Sequence, residues 1–214
     1  MKTYNNLFDT FISTDNFYNA FYKARKSKPY GCKTLDFQFN LEKNVYFIID
    51  SIKNYNYDLC SKDYNVFVIY EPKKRIIKSL EFKHKVVQFA LCNVLEPIFE
   101  KSFIYHSYAC RKNKGTHKCV ENIFSLISKQ NNNSKYCLKC DVKKYFQSVN
   151  QNILKKILFK KIKDSKIQNI LNIIINSDNS DFGIHKGIPI GNLTSQLFAN
   201  IYLNELDQYI KHIL

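Results

Sequence analysis

Two short blocks carry residue types suited to phosphate chemistry. The first, KCDVKKYF at 139–146, ends a short apolar stretch on the carboxylate of Asp141, with Tyr145 and Phe146 just after it. A carboxylate at a strand's end is a rigid, hard-oxygen ligand for Mg²⁺, and the backbone carbonyl of Val142 would add another. Two such ions activate an attacking hydroxyl and steady a leaving pyrophosphate. The second block, GIPIGNLTSQ at 187–196, reads as a tight glycine turn opening a helix. Gly191 has no Cβ to hold a ligand away, and free N–H groups at the helix start face a phosphate or a base edge. Ser195 and Gln196 lie in that first turn. Out of context, an aspartate at a strand end is usually a turn or capping residue, and a lone GxxxSQ reads first as a plain glycine turn with a polar cap.

These blocks need a scaffold. YNVFVIY, the turn EPKK and RIIKS predict a β-hairpin over 64–79. Val87, Leu91, Val94 and Leu95 predict a helix over 81–95, ended by Pro97. The segment 103–116 is irregular and basic, and Val120, Ile123, Phe124 and Ile127 mark a second amphipathic helix. A polar loop, QNNNSK at 130–135, precedes a strand at 136–140 that delivers Asp141. Helices follow over 150–162 and 166–176, then a loop or hairpin, DNSDFGIHKG. A last helix starts near Asn192, capped by Asn192 or Thr194, and runs to His212. Residues 1–60 read as an extension with helices at 15–26 and 40–54. The expected divisions are 1–60, 61–135 and 136–214.

The net charge is +15, with 33 Lys and Arg against 18 Asp and Glu. Such an excess implies a polyanionic partner, nucleic acid first, because phosphate contacts release counterions. An anionic membrane is the rival, and the basic stretch Lys155, Lys156, Lys160, Lys161 and Lys163 is the segment that would serve it. No apolar run approaches the roughly 20 residues of a membrane helix, and the N-terminus lacks a signal-peptide core, so a cytoplasmic protein with no membrane partner is expected. The seven cysteines are odd in number and irregular in spacing, which suggests reduced thiols. Cys137 and Cys140 form a CxxC, with His117 and Cys119 upstream. On a strand those two thiols would face opposite sides, so buried thiols are favoured over a zinc site.

Taken in order, the blocks resemble the reverse transcriptase family over residues 62–214. DVKKYFQSVNQNIL resembles the block with the first catalytic aspartate, which implies that Phe146 lies under the sugar of the incoming dNTP and excludes a 2′-hydroxyl. EPKKRIIKS through YACRKNKGTHKCVENI resembles the fingers. The resemblance places Arg75 and Arg111 on the triphosphate, with Lys73, Lys74, Lys112, Lys114 and Lys118 along nucleic-acid backbone. GIPIGNLTSQ resembles the block usually written with Gln-Gly and Ser-Pro, but Ile190 and Gln196 stand where Gln and Pro are usual. That pair resembles the enzymes of bacterial diversity-generating retroelements.

The implied fold is α+β: right-hand polymerase fingers (61–135) and the first half of a palm (136–214), helices on a small antiparallel sheet, the thumb absent. The implied reaction is Mg²⁺-dependent transfer of dNMP to a primer end on an RNA template. Two ions would be bound, with Asp141 as a ligand and Ile190 and Gly191 as the template–nucleotide platform. An RNA template, its RNA–DNA heteroduplex and a small basic accessory protein are the implied partners. The family's YxDD aspartates occur nowhere in the sequence, so a chain cut short, and inactive alone, is expected. A retron or phage-defence reverse transcriptase and a non-catalytic nucleic-acid-binding remnant are the rivals.

Overall fold

The computed structural model describes residues 2–26, 28–72, 74–129, 136–177, 183 and 185–213. Lys73, the polar loop at 130–135 and most of the DNSDFGIHKG loop lie outside them. The described elements are α1 (Phe8–Phe11), α2 (Thr14–Arg25), α3 (Cys32–Phe39), α4 (Leu41–Lys53), a 3₁₀ turn (Ser61–Asp63), β1 (Tyr64–Ile69) and β2 (Arg75–Leu80). They continue with α5 (Phe82–Glu100), α6 (Thr116–Lys129), α7 (Tyr145–Ser148), α8 (Gln151–Lys161), α9 (Ser165–Asn176) and α10 (Leu193–His212). The fold is mostly helical, and β1 and β2 form its two-stranded antiparallel sheet, with Tyr64 opposite Leu80 and Ile69 opposite Arg75.

α5 is the axis of the core. Val86, Val87, Ala90, Leu91 and Leu95 are fully buried, so the helix is apolar around most of its girth. α1 to α4 and α10 all pack on it. The N-terminal segment is thus part of one core that also takes Leu154, Leu158, Ile167, Leu171 and Phe198. It is pinned at a second place by Asp164. One oxygen of that carboxylate caps α9 by accepting from the N–H of Lys166 and Ile167. The other accepts from the N–H of Leu7 and Phe8 at the start of α1. A single acid therefore satisfies two orphan donors at the start of each of two helices, across sequence separations of 157 and 156 residues.

The segment 185–191 is fastened on both sides. Toward α7 and α8, Gly187 N–H donates to Val149 O and Ile188 N–H donates to Phe146 O, both at 2.8 Å. Gln151 donates from its backbone to His185 O and from its buried side chain to Gly187 O. Toward the sheet, Lys78 N–H donates to Ile190 O at 2.9 Å. Gly191, at φ +122°, then passes so close to β2 that a Cβ there would sit 2.7 Å from Lys78 O. The next turn is locked by Tyr64, whose hydroxyl bonds Ser177 Oγ at the end of α9 and accepts from Asn192 Nδ2 at the start of α10.

Three expectations are corrected. Residues 136–140 form no strand. They are exposed throughout, Leu138 at 89%. A strand needs a neighbour to take its N–H and C=O groups, and none pairs with this segment among the described residues. Pro97 does not end α5, which runs to Glu100. Burial of Ile98 and Phe99 in the core offsets the roughly 3 kcal/mol cost of an interior proline. Asn192 holds the N-cap position of α10, but its side chain serves Tyr64 instead of capping. α6 forms as expected, yet Ile123, Phe124 and Leu126 on it are exposed.

Gly191→Ala tests the crossing. The strained backbone and the blocked Cβ together should cost about 2–4 kcal/mol, read as a lower urea midpoint. An unchanged midpoint would show that the close approach to Lys78 is not made in solution.

Candidate functional site

Asp141 and Val142 are exposed, just before a turn in which Lys144 takes the left-handed conformation at φ 52°. That turn throws the next two side chains back toward the core. Tyr145 reaches α10, where its hydroxyl donates to Ala199 O at 2.7 Å. Burial raises the Tyr145 pKa well above its ordinary value, so it stays a protonated donor. Phe146 is half-buried and meets Tyr145 edge-on, with ring centroids 5.8 Å apart. The Asp141 carboxylate has no hydrogen bond or ion pair among the described residues, nor does it belong to a group of three ligating side chains there. It offers a free oxygen pair beside the Val142 carbonyl, which suits a share in a Mg²⁺ site whose other ligands come from elsewhere.

Arg75 opens β2 and is exposed, as is Lys74 before it. Side chains alternate along a strand, so Arg75 shares a face with Ile77. The Ile77 Cγ2 lies 3.1 Å from where a Cβ of residue 191 would be. Arg75 therefore stands on the face of β2 that covers the glycine corner. Through the double fastening of 185–191, hydrogen bonds link three separate segments: Ile188 to Phe146 on one side, and Ile190 to Lys78 of β2 on the other.

Arg111 is placed otherwise. Its side chain is only 7% exposed and stacks over Phe103. Nε and Nη2 grip Glu100, the shortest bond being 2.6 Å, while Nη1 donates to Ile104 O and Ser107 O. The guanidinium braces the 103–111 loop against the end of α5. Lys112 is exposed and pairs with Glu96 at 3.0 Å. Lys114 donates to Tyr105 O and lies over the Tyr105 ring at 3.7 Å. Gln196 is exposed and, with Arg111, Glu100, Leu193 and Asn200, lines a cavity of about 310 Å³ between this loop and α10. Ser195, by contrast, is buried, as is Thr194, whose hydroxyl has no hydrogen-bond partner. A first-turn residue faces the core as easily as solvent, and the turn's position does not decide which.

The residues that hold these segments together carry no local mark in the sequence. In the sequence, Tyr64 and Gln151 read only as part of a strand and a helix. Nothing local marks either, because their partners at 177, 187 and 192 are far along the chain. No helix among the described residues is long and apolar enough to cross a membrane.

The chain is 29% identical to Protein YkfC of Escherichia coli K12 over 133 residues, which is 60% of this chain and 35% of that protein. It is 28% identical to the group II intron-encoded protein LtrA of Lactococcus lactis over 60% of this chain and 22% of that one. It is 27% identical to nuclear intron maturase 4 of Arabidopsis thaliana over 83% of this chain and 23% of that one. The chain thus spans about a third or less of these relatives. Among solved structures, a chain of a partial Cas6-RT-Cas1–Cas2 complex superposes with a TM-score of 0.59 at 16% identity. The match covers 96% of this chain and 35% of that one, and it shows a shared fold. A family model, reverse transcriptase (RNA-dependent DNA polymerase), matches residues 63–213. With most of its length so matched, the chain belongs to the reverse transcriptase family.

Proposed function

We propose that this chain forms the nucleotide- and template-binding part of an RNA-directed DNA polymerase of the diversity-generating retroelement type. The observation that carries the reading is the glycine corner at 191, tied to the Asp141–Phe146 block on one side and to β2 on the other. In this reading Arg75 holds the triphosphate with a charge that does not titrate. Phe146 sets the floor under the sugar, and its bulk disfavours a 2′-hydroxyl. Gly191 admits the template base, and Ile190 beside it contacts the pair without hydrogen bonds from its side chain. Apolar contact discriminates less sharply than polar fixation, which fits the low fidelity expected of that retroelement type. Asp141 and the Val142 carbonyl would hold Mg²⁺, which when bound stabilises charge on the transferring phosphate. Lys74 and Lys112, with Lys114 and Gln196, would track template or primer backbone. The same role for Lys73 falls outside the described residues. A small basic accessory protein is part of the proposal through the subtype alone.

A second reading, RNA binding without polymerisation, draws on the intron maturase among the relatives and on the isolation of Asp141 from other ligating side chains.

Incorporation assays separate the two. In a polymerase carrying this segment together with YxDD aspartates, Asp141→Asn should cut dNMP incorporation on primed RNA by about 10³-fold, the loss of about 4 kcal/mol of metal stabilisation. Retained incorporation would remove Asp141 from the site. Phe146→Ala should narrow the preference for dNTP over rNTP by about 10–100-fold, and unchanged selectivity would remove the sugar floor.

RNA binding is testable on the 214-residue chain itself. With about four phosphate contacts to single-stranded RNA, affinity should fall about 50-fold between 50 and 200 mM salt. A flat salt response would contradict a basic groove.

Arg111 separates a brace from a phosphate clamp. Arg111→Lys keeps the charge but loses the fork, and should cost about 2 kcal/mol of stability. A brace predicts that loss with the KM for dNTP of a polymerase carrying this segment and YxDD aspartates unchanged; a raised KM at unchanged stability would restore Arg111 to the triphosphate.

A further inference from the structure

The hairpin register brings together three side chains that the polymerase reading does not use. Tyr64 pairs with Leu80, so Asp63 and Glu81 flank the same end of the hairpin, and Glu81 N–H donates to Asp63 O at 3.0 Å. His84 follows in the first turn of α5. The ligating atoms of Asp63, Glu81 and His84 all lie within 4.8 Å of one another.

His84 is the informative member. It is 3% exposed, and its Nε2 is buried without a hydrogen-bond partner. A buried polar atom left without a hydrogen bond is destabilising, so it calls for an occupant. The nearest charged atom, Asp63 Oδ1, is 3.4 Å away, an ion pair when the ring is protonated but long for a hydrogen bond. That separation also matches the edge of a tetrahedron, since two ligands about 2.05 Å from one Zn²⁺ stand about 3.4 Å apart.

Both residues are held from behind. His84 Nδ1 meets the buried Tyr57 hydroxyl at 2.9 Å, and Asp63 Oδ2 accepts from Cys60 N–H at 2.9 Å. When Nδ1 donates to Tyr57, Nε2 presents its lone pair toward Asp63. Partners that fix a ligand's orientation in this way are what metal-binding histidines and carboxylates have.

We infer that Asp63, Glu81 and His84 form a binding site for a zinc-like divalent ion at the base of the β1–β2 hairpin, with solvent completing the coordination. Imidazole beside two carboxylates selects zinc and its neighbours over Mg²⁺, which takes oxygen ligands and keeps its waters. Two carboxylates supply the charge that neutralises the ion. The start of α5 favours those carboxylates as anions and opposes the cation, an effect weaker than metal–ligand bonds. Lys33 and Lys83 stand 3.9 and 3.8 Å from Glu81 in exposed pairs, weak enough for the ion to displace. Bound there, the ion would clamp the 3₁₀ turn, the hairpin and α5 together, and so hold β2 and Arg75 in place.

Calorimetric titration of the metal-free, reduced 214-residue chain with Zn²⁺ tests this. A Cys137→Ser/Cys140→Ser background removes the CxxC as a competing site. One equivalent should bind in that background, with affinity falling at least about tenfold in Glu81→Gln and about 100-fold in Asp63→Asn. Melting under Zn²⁺ should rise in the background protein and not in Asp63→Asn. Both substitutions lie at partly exposed positions, so the apo melting curves show whether each variant is folded; His84→Gln serves as a third variant. Absence of binding, or binding indifferent to Asp63 and Glu81, would overturn the site.

Discussion

The passage of Gly191 across Lys78 is the contact on which the rest of this arrangement depends. The chain must turn from the loop into α10 while touching the backbone of β2, and only a residue without a Cβ fits at 2.7 Å from a carbonyl oxygen. The Lys78 N–H bond to Ile190 O holds the crossing in register. Because the loop is also bonded to Val149 and Phe146, the two halves of the chain share one rigid seam. Each half alone would leave several of these polar groups without partners.

Around that seam the energetics divide cleanly. Apolar burial along α5 fixes which helices meet, including α1 to α4. Polar side chains fix how they meet. Tyr64 ties the ends of α9 and α10 to the hairpin, Gln151 ties α8 to the loop, and Asp164 ties the first helix to α9. Each is a long-range bond made by a buried or half-buried group, where a lost partner costs more than a surface pair contributes. The charge excess sits outside this frame. Several lysines and Arg111 are already engaged with glutamates or carbonyls, so the charge left to meet a polyanion rests on the remainder, Arg75 and Lys74 among them.

The helices were legible because their signals are local. Ile170, Leu171 and Ile174 repeat at helical spacing behind the cap at Asp164, and α8 starts behind Asn150. The hairpin was legible from its β-branched runs, and its register alone would have revealed that Asp63 and Glu81 are neighbours. The misread places depend on distant partners. Pro97 looks like a stop until the burial of Ile98 and Phe99 is known. Residues 136–140 look like a strand in composition, but pairing is a property of the sheet. Arg111 looks like a phosphate ligand by type, and only the fold shows Glu100 beneath it. Ser195 looks like a first-turn donor, and only packing shows that it faces inward.

The central claim is that the Asp141–Phe146 turn, the glycine corner and the Arg75 strand line one groove. Photo-crosslinking tests it most directly: a primed RNA template with a dNTP carrying a photoreactive base, irradiated with the protein, followed by peptide mapping. The account predicts adducts in 74–78, 141–146 and 190–196 together, all competed away by unlabelled dNTP. Adducts confined to one of these segments, or gathered on α2 to α4, would contradict it.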